Sequence, residues 1–326
     1  MTERLKATTE GIERAARILR EGGLCAFPTE TVYGLGARAD QSESVAKIYA
    51  AKGRPAGNPL IVHVPTIEVA KSLSSAWSEE AERLARALWP GPLTLVVPAL
   101  SGTLASAVTA GGDTVGLRVP SHPVATALLL EAGVPVAAPS ANRSTAISPT
   151  TAEHVHKSLG DRVDAVLDGG PAVLGIESTI VDCSRRPPVV LRPGSIGILR
   201  LASIAGVVDL GPSVVSEGSV AKAPGQHARH YAPSAKVLVV RPAEVRATVM
   251  AERAGGRVVG VLERSPATVT EEPAKALPDD PDGFARELYA ALHSLEDEGC
   301  EVLVLAEVPD GAEWAAVRDR VGRASA

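Results

Sequence analysis

The sequence predicts an α/β fold in two parts, a larger domain with a twisted, mixed sheet and a smaller three-layer domain. Over the first 200 residues, short apolar runs alternate with segments whose apolar residues recur at a helical period. The alternation returns after residue 235 as three strand–helix pairs, which is typical of a parallel sheet covered by helices. We therefore expect a first domain at 1–204, a linker at 205–235 and a second domain at 236–326.

Helices are predicted where an apolar stripe begins after a polar residue and ends at Gly or Pro. The first is Thr9–Glu21, which Gly22 and Gly23 end. Asp40 and Glu43 resemble a capping box at the start of a second helix that runs to Ala51. The other predicted helices are Ser78–Leu88, Val124–Ala132, Thr150–Leu159, Ala243–Ala254, Phe284–Glu296 and Glu313–Val321.

Strands are predicted at short apolar runs bounded by turn residues. Arg185-Arg186-Pro187-Pro188 separates the last two strands of the first domain as in a hairpin, so we expect a mixed rather than a parallel sheet. The predicted strands are Leu24–Pro28, Leu93–Pro98, Thr114–Val119, Val134–Ala138, Ala165–Leu167, Ser178–Asp182, Val189–Leu191, Val237–Val240, Val258–Leu262 and Val302–Ala306.

Composition and charge limit the classes of function. With 45% hydrophobic and 22% charged residues, the chain is ordinary globular protein. Cys25, Cys183 and Cys300 lie far apart, which argues against a disulfide framework or a zinc site and fits a reducing cytoplasm. No apolar run reaches the roughly 18 residues that a membrane span needs. The first 204 residues carry 20 basic and 19 acidic residues, whereas the remainder carries 13 basic and 19 acidic residues. Because an acidic surface does not attract nucleic-acid phosphates, any weak RNA binding would require a local basic patch of the first domain.

A glycine motif, Gly34-Leu35-Gly36-Ala37-Arg38-Ala39, has the loose form of a dinucleotide-binding fingerprint. That fingerprint needs an acidic residue about 20 positions later, and positions 52–64 contain none. We interpret the motif as a glycine turn that permits close backbone packing. The chain also lacks the GxxxxGK[ST] loop, so a nucleotide would be held in another way.

Cations and hydroxyl groups gather at the predicted strand ends. Lys52 and Arg54 precede a loop stiffened by prolines; they are either a solvated helix end or a site for phosphate or carboxylate oxygens. Arg118 lies inside an apolar strand, where a buried cation requires an anion, and Arg192 ends another strand. Ser148 is expected to cap a helix whose free N–H groups could take an anion. Together these groups indicate a site for a polyphosphate and a small carboxylate, with catalysis by positioning and electrostatics.

Several stretches of the chain carry a family resemblance. They are FPTETVYGLGA, KGRPAGNPLIVHV, LWPGPLTLVV, TVGLRVPSHP, PVAAPSAN, SPTTAEHV, GIESTIVD, LRPG and RHYAP, and they span residues 20–235. In them the chain resembles the threonylcarbamoyl-AMP synthases, YrdC-like tRNA-modification enzymes, in the long form with a C-terminal Rossmann-like domain. The resemblance implies synthesis of L-threonylcarbamoyladenylate from L-threonine, bicarbonate and ATP with release of pyrophosphate. That nucleotidyltransferase reaction serves threonylcarbamoyl modification of the adenosine next to the anticodon of tRNA.

The resemblance also implies which residues form the site. L-threonine would be contacted by Thr31, His63, Arg118, Ala138 and Ser178, with Arg118 on its carboxylate. ATP would be held by Lys52, Arg54, Asn58, Thr114, Ser140, Ser148, Arg192 and Tyr231. Lys52 and Arg54 would act in catalysis, because an anionic threonine carbamate needs charge neutralisation more than a base. Mg²⁺ would bridge the phosphates, with Glu30 or Glu177 as candidate carboxylates.

The resemblance further implies that Tyr231 closes the site as a lid and that the product passes to a tRNA threonylcarbamoyl transferase complex. The chain departs from the family pattern at 143–147, so the conformation of that loop stays open. It also departs at Gln226, His227 and Ala228, so the lid contacts of these three residues stay open. Two other functions stay open. One is an RNA-binding module without chemistry, and the other is carbamoyl transfer to a protein, as in hydrogenase maturation enzymes.

Overall fold

The structure is a computed structural model that describes residues 1–211, 231–269 and 273–326. The strands are β1 (Glu3–Lys6), β2 (Cys25–Phe27), β3 (Gly34–Arg38), β4 (Ile61–His63), β5 (Leu93–Pro98), β6 (Thr114–Arg118), β7 (Val136–Ala137), β8 (Ala165–Asp168), β9 (Thr179–Asp182), β10 (Val189–Arg192), β11 (Asp209–Leu210), β12 (Lys236–Val240), β13 (Val259–Arg264), β14 (Ala274–Leu277) and β15 (Val302–Ala306). The helices are α1 (Thr9–Arg20), α2 (Ser42–Lys52), α3 (Ile67–Ser72), α4 (Glu79–Leu88), α5 (Pro123–Ala132), α6 (Ala152–Leu159), α7 (Ile198–Ala205), α8 (Val245–Ala254), α9 (Pro281–Asp297) and α10 (Ala315–Ala324).

The first domain is built on one sheet in the order β1-β8-β2-β3-β7-β4-β6-β5-β9-β10-β11. Parallel pairs such as β4–β6 and antiparallel pairs such as β5–β6 both occur, so the predicted mixed sheet is confirmed. Strands β9 and β10 form the predicted hairpin. The sheet continues to Leu210, beyond residue 204. The predicted linker lies mostly outside the described residues.

The glycine motif at 34–39 is a strand and not the predicted turn. Gly34–Arg38 forms β3, which pairs with β2 on one side and with β7 on the other. A Cβ atom on Gly36 would come within 2.9 Å of the Phe27 ring and 3.1 Å of the Cys25 carbonyl oxygen. The glycine is therefore required by close packing between strands, as predicted, although no turn is formed.

Two predicted helix starts are wrong. Helix α2 begins at Ser42, and Asp40 forms an ion pair of 2.7 Å with Arg38 in place of a capping box. Helix α6 is capped by Thr151, whose hydroxyl accepts the N–H of His154 at 3.2 Å. Ser148 lies before this cap and does not begin the helix, because its hydroxyl is used elsewhere in the site.

The second domain has a parallel sheet in the order β12-β15-β13-β14. Its strand β14 was not predicted, because only the last of its four residues is buried. Alternate residues of β15 face opposite layers: Val302 and Val304 pack with α8, whereas Leu303 and Leu305 pack with α9 and α10. The predicted three-layer α/β architecture is therefore confirmed.

The two domains share a buried interface. Val32 and Ile147 of the first domain belong to the same apolar cluster as Phe284 and Leu288 of α9. At the edge of this cluster, the Nε atom of Arg286 donates a hydrogen bond of 3.0 Å to the carbonyl oxygen of Val173. Among the described residues, no helix has both the length and the apolar character needed to cross a bilayer.

Candidate active site

A hollow lies in the first domain where the ends of several strands meet. His63 and Arg118 end β4 and β6 and are register partners in these parallel strands, so their side chains share one face of the sheet. Ala138 follows β7 and donates its N–H to the carbonyl oxygen of Ile61 at 2.9 Å. Of the predicted site residues, the hollow is lined by Thr31, Arg54, His63, Arg118, Ala138, Ser140, Ser178, Arg192 and Tyr231. Three arginines from separate segments therefore converge on one space.

Lys52 and Arg54 are buried beside the hollow at the end of α2. Gly53 between them has φ of +62°, a left-handed conformation that ends the helix. The Lys52 ammonium donates to the carbonyl oxygens of Ser140 at 2.6 Å and Asn142 at 2.5 Å. Burial, reinforced by Arg54, holds the pKa of Lys52 well below its usual value, and burial lowers the pKa of Arg54 to about 10. An anion that entered the hollow would relieve this desolvation of two positive charges.

Arg118 is paired with a carboxylate inside the protein. Its Nη2 atom lies 2.8 Å from Oε1 of Glu30, and both side chains are buried. The expectation that a buried arginine at this position requires an anion is therefore met by the chain itself. Burial, and then Arg118, lower the pKa of His63 to about 3, so the imidazole next to this pair is neutral.

Ser178 and Arg192 form a second polar group across the hollow. The Ser178 hydroxyl shares a hydrogen bond of 2.8 Å with Thr94. The Arg192 guanidinium donates to the Ser178 carbonyl oxygen at 3.0 Å and to its hydroxyl at 3.2 Å. Its Nη1 atom lies 3.4 Å from the hydroxyl of Tyr231, a buried residue with φ of 61°.

Glu177 also lines the hollow, and it is held by two residues of the second domain and one of the first. The Glu177 carboxylate accepts hydrogen bonds from Nε of Arg320 at 2.7 Å, from the Tyr289 hydroxyl at 3.1 Å and from the Ser148 hydroxyl at 2.5 Å. Burial alone would raise the pKa of Glu177, but Arg320 and Arg192 outweigh it and hold that pKa below its usual value. Arg320 and Tyr289 were not predicted as site residues, because nothing in the sequence of α9 and α10 distinguishes them from surface residues.

Comparisons with known proteins identify the family of the chain. A family model described as telomere recombination (Sua5_yciO_yrdC) matches residues 17–194, and a model of the threonylcarbamoyl-AMP synthase C-terminal domain matches residues 199–326. Threonylcarbamoyl-AMP synthase of Bacillus subtilis is 38% identical, with 100% of this chain and 96% of the relative covered. The chain belongs to the threonylcarbamoyl-AMP synthase family. The resemblance predicted from the sequence motifs is therefore confirmed.

The chain is also similar to threonylcarbamoyl-AMP synthase of Pyrococcus abyssi and to a solved structure from that organism. The curated enzyme is 40% identical, with 96% of this chain and 94% of the relative covered. The crystal structure of P. abyssi Sua5 complexed with L-threonine has a TM-score of 0.92 and 38% identity, covering 100% of this chain and 97% of that one. The likeness extends over both domains, so the family fold includes the C-terminal domain described above.

Four residues predicted from the synthase family do not line the hollow. Lys52 lies beneath it and contacts the carbonyl oxygen of Ser140, and Ser148 lies behind Glu177. Asn58 contributes a backbone carbonyl oxygen that accepts a 3.4 Å hydrogen bond from Arg54. Thr114 begins β6, so it lies roughly 13 Å from Arg118 at the other end of that strand.

The loop at 143–147, where the chain departs from the family pattern, contacts the described end of the linker. Thr145 has φ of 68°, in the left-handed region, and its carbonyl oxygen accepts the N–H of Ala232 at 2.8 Å. The N–H of Ser144 donates to the Lys52 carbonyl oxygen at 2.8 Å. This loop thus ties Tyr231 to the end of α2. The second departure, at 226–228, and the start of the RHYAP motif lie outside the described residues.

Neither candidate carboxylate for Mg²⁺ is available as the structure stands. Glu177 is saturated by Arg320, Tyr289 and Ser148, and Glu30 is paired with Arg118. Mg²⁺ ordinarily binds through one or two carboxylates together with phosphate oxygens and water. The site does not fit a metal ion held by either of these protein carboxylates.

Proposed function

We propose that this chain is a nucleotidyltransferase that makes L-threonylcarbamoyladenylate from L-threonine, bicarbonate and ATP and releases pyrophosphate. The product would supply the threonylcarbamoyl group for the adenosine next to the anticodon of tRNA. The observation that carries the proposal is the convergence of Arg54, Arg118 and Arg192 on one hollow lined by hydroxyl groups. Such a site neutralises several negative charges in a place from which water can be excluded.

In this proposal L-threonine lies between β4, β6 and β9. Arg118 binds its carboxylate, because a guanidinium matches two carboxylate oxygens. The neutral imidazole of His63, together with Thr31, Ala138 and Ser178, surrounds the remainder of the amino acid.

ATP is proposed to bind from the side of α2 and β10. Lys52, Arg54 and Arg192 neutralise the triphosphate. Ser140 lines the hollow, whereas Ser148 would reach the nucleotide only by giving up the hydrogen bond from its hydroxyl to Glu177. Asn58 and Thr114 lie farther out along the nucleotide. Tyr231 covers the phosphates from the linker as a lid, which its contact with Arg192 supports.

The reaction requires little acid–base chemistry. Bicarbonate and the threonine amine first give a carbamate and water, and a carbamate oxygen then attacks the α-phosphorus. The bond from that phosphorus to the bridging oxygen breaks, and the electron pair leaves with pyrophosphate. Lys52 and Arg54 act by stabilising the charge that develops on the phosphates. Mg²⁺ is expected to arrive with the triphosphate.

The domain roles follow from the same proposal. Residues 1–204 carry the chemistry, 205–235 form the linker and lid, and 236–326 support the site from behind. We also propose a cytoplasmic enzyme that passes its labile product to the tRNA threonylcarbamoyl transferase complex. The described structure does not favour an RNA-binding role, because the cations of the hollow are buried and not displayed on a surface.

The test is release of pyrophosphate from ATP, Mg²⁺ and bicarbonate with and without L-threonine. Release is expected with threonine, and equal release without it would refute the proposal. Arg54→Ala is expected to abolish turnover while the protein keeps its far-UV circular dichroism. Arg143→Ala, which changes an exposed arginine near the site, is the matched control and is expected to retain activity.

A further inference from the structure

Glu30 makes an unusual buried contact. Its Oε1 atom is 2.8 Å from Nη2 of Arg118, with side-chain exposures of 9% and 5%. The distance is that of an ion pair, but the geometry is not that of a hydrogen bond. Among the described residues, neither Glu30 oxygen has a hydrogen-bond partner, and neither Nε nor Nη2 of Arg118 has one. Buried polar groups are nearly always hydrogen-bonded, so this pair lacks the geometry expected of a permanent structural contact.

Glu177 provides the comparison within the same site. It is as buried as Glu30, but it receives well-directed hydrogen bonds from Arg320, Tyr289 and Ser148. Such a carboxylate is held in one place by several donors. Glu30 is held by charge attraction alone, and this attraction can be replaced by another carboxylate of better geometry.

Glu30 also borders a second cavity. Arg118 lines the hollow, whereas Glu30 is one of the residues that border an interdomain cleft of about 1010 Å³, together with His122, Pro193, Ile196, Ala285 and Val317. The Glu30–Arg118 pair therefore lies between the two cavities, and the cleft has room for a displaced side chain. His122 faces Glu30 there. Burial lowers the pKa of His122, and the negative charge of Glu30 offsets part of that decrease.

We propose that Glu30 is an internal placeholder for the substrate carboxylate, which occupies Arg118 until L-threonine displaces it towards the interdomain cleft and His122. The inference rests on the proposed function, since it assumes that Arg118 binds the carboxylate of threonine. The exchange keeps the buried arginine paired with an anion at every stage, so an uncompensated charge is never left in the core.

The placeholder also determines specificity. A ligand with a carboxylate gains the guanidinium that Glu30 gives up. A ligand without one gains nothing from Arg118, because the guanidinium stays paired with Glu30. Glu30 thus selects for the carboxylate before any nucleotide chemistry begins.

The first experiment measures threonine binding by calorimetry in Glu30→Gln. The glutamine keeps the volume but holds Arg118 more weakly than a charged group does, so threonine affinity is expected to rise about tenfold. The KM for threonine should fall in parallel, and the KM for ATP should not change. Glu177→Gln is the matched control, because it removes an equally buried carboxylate that does not face Arg118, and it is expected not to tighten threonine binding. Equal or weaker threonine binding by Glu30→Gln would overturn the proposal.

A second measurement uses the unaltered protein and does not depend on how the variant folds. Titration of His122 by NMR, with and without saturating L-threonine, is expected to show a higher pKa in the complex, because the displaced carboxylate moves towards the imidazole. An unchanged His122 pKa would contradict the displacement. L-threoninamide, which lacks the carboxylate, should leave His122 unchanged.

The two proposals fail in different ways. If the unaltered protein neither binds threonine nor releases pyrophosphate, the proposed function is wrong. If it does both, but Glu30→Gln binds threonine no better and His122 does not respond, the function stands and the placeholder is wrong.

Discussion

Arg320→Met tests whether the second domain holds the site together. The guanidinium of Arg320 is buried, donates to Glu177 at 2.7 Å and lies 5.0 Å from the centre of the Tyr231 ring. Methionine fills a similar apolar volume, so the main loss is electrostatic. Removing one partner of a buried ion pair costs about 3–5 kcal/mol, because the other charge stays buried. The hydroxyl groups of Ser148 and Tyr289 still face Glu177 and do not supply a charge.

We therefore expect the free energy of unfolding to fall by about 3–5 kcal/mol, measured by urea denaturation at pH 7. The loss should depend on pH. Without Arg320, burial would raise the pKa of Glu177 above its unfolded value, so the folded variant would take up a proton. Stability conferred by that proton is present at low pH and is lost as pH rises, so the variant should differ less from the unaltered protein at pH 4.5 than at pH 7.

Two variants make the measurement specific. Arg241→Met removes an exposed arginine whose pair with Glu244 lies in water, and it is expected to change stability by less than about 0.5 kcal/mol. In a double-mutant cycle, Glu177→Gln should recover much of the loss caused by Arg320→Met, since the buried charge is gone. Losses that simply add, to within about 0.5 kcal/mol, would refute the coupling between Glu177 and Arg320.

Three further outcomes follow from the site and the interface. Tyr231→Ala is expected to weaken ATP binding several-fold in calorimetry, because the phenol covers the phosphate side at Arg192; unchanged nucleotide affinity would argue against a lid. His154 and His293 stack at 3.8 Å across the interface and burial lowers the pKa of each to about 4, so unfolded chains bind more protons and stability should fall as pH drops from 6.5 to 4. Lys52→Met is expected to lower kcat by about 100-fold or more, and a kcat within tenfold of the unaltered enzyme would exclude its proposed role.

Part of the site follows from local rules in the sequence. A lone cation in an apolar strand is costly to bury, so Arg118 was expected to have an anion, and it has one. Polar groups at the ends of strands were expected to meet, and Arg118, Ser178 and Arg192 do line one hollow. These inferences succeed because the ends of paired strands lie at one edge of a sheet whatever the connections between them.

Other features depend on contacts between distant residues, which local sequence rules do not predict. Gly34–Arg38 was interpreted as a turn because glycines favour turns, yet packing against Phe27 requires Gly36 inside a strand. Ser148 resembles a helix cap in sequence, but its hydroxyl is drawn to Glu177 and Thr151 caps the helix in its place. In both cases a distant residue decides between two conformations that the local sequence permits equally well.

Helix α10 of the second domain shows most clearly how a contact with a distant residue escapes prediction from the sequence. Arg318, Asp319, Arg320 and Arg323 give α10 a mixture of positive and negative charges, which in a sequence is typical of a solvated helix. Periodicity tells which residues share a face, but it does not tell what lies against that face. Here Arg320 is buried against Glu177 of the first domain, and it favours the charged form of Glu177 more than Arg192 of the first domain does. Among the described residues, the second domain contributes no side chain to the lining of the hollow. It nevertheless supports the hollow through Glu177, so removal of the second domain should disturb the site.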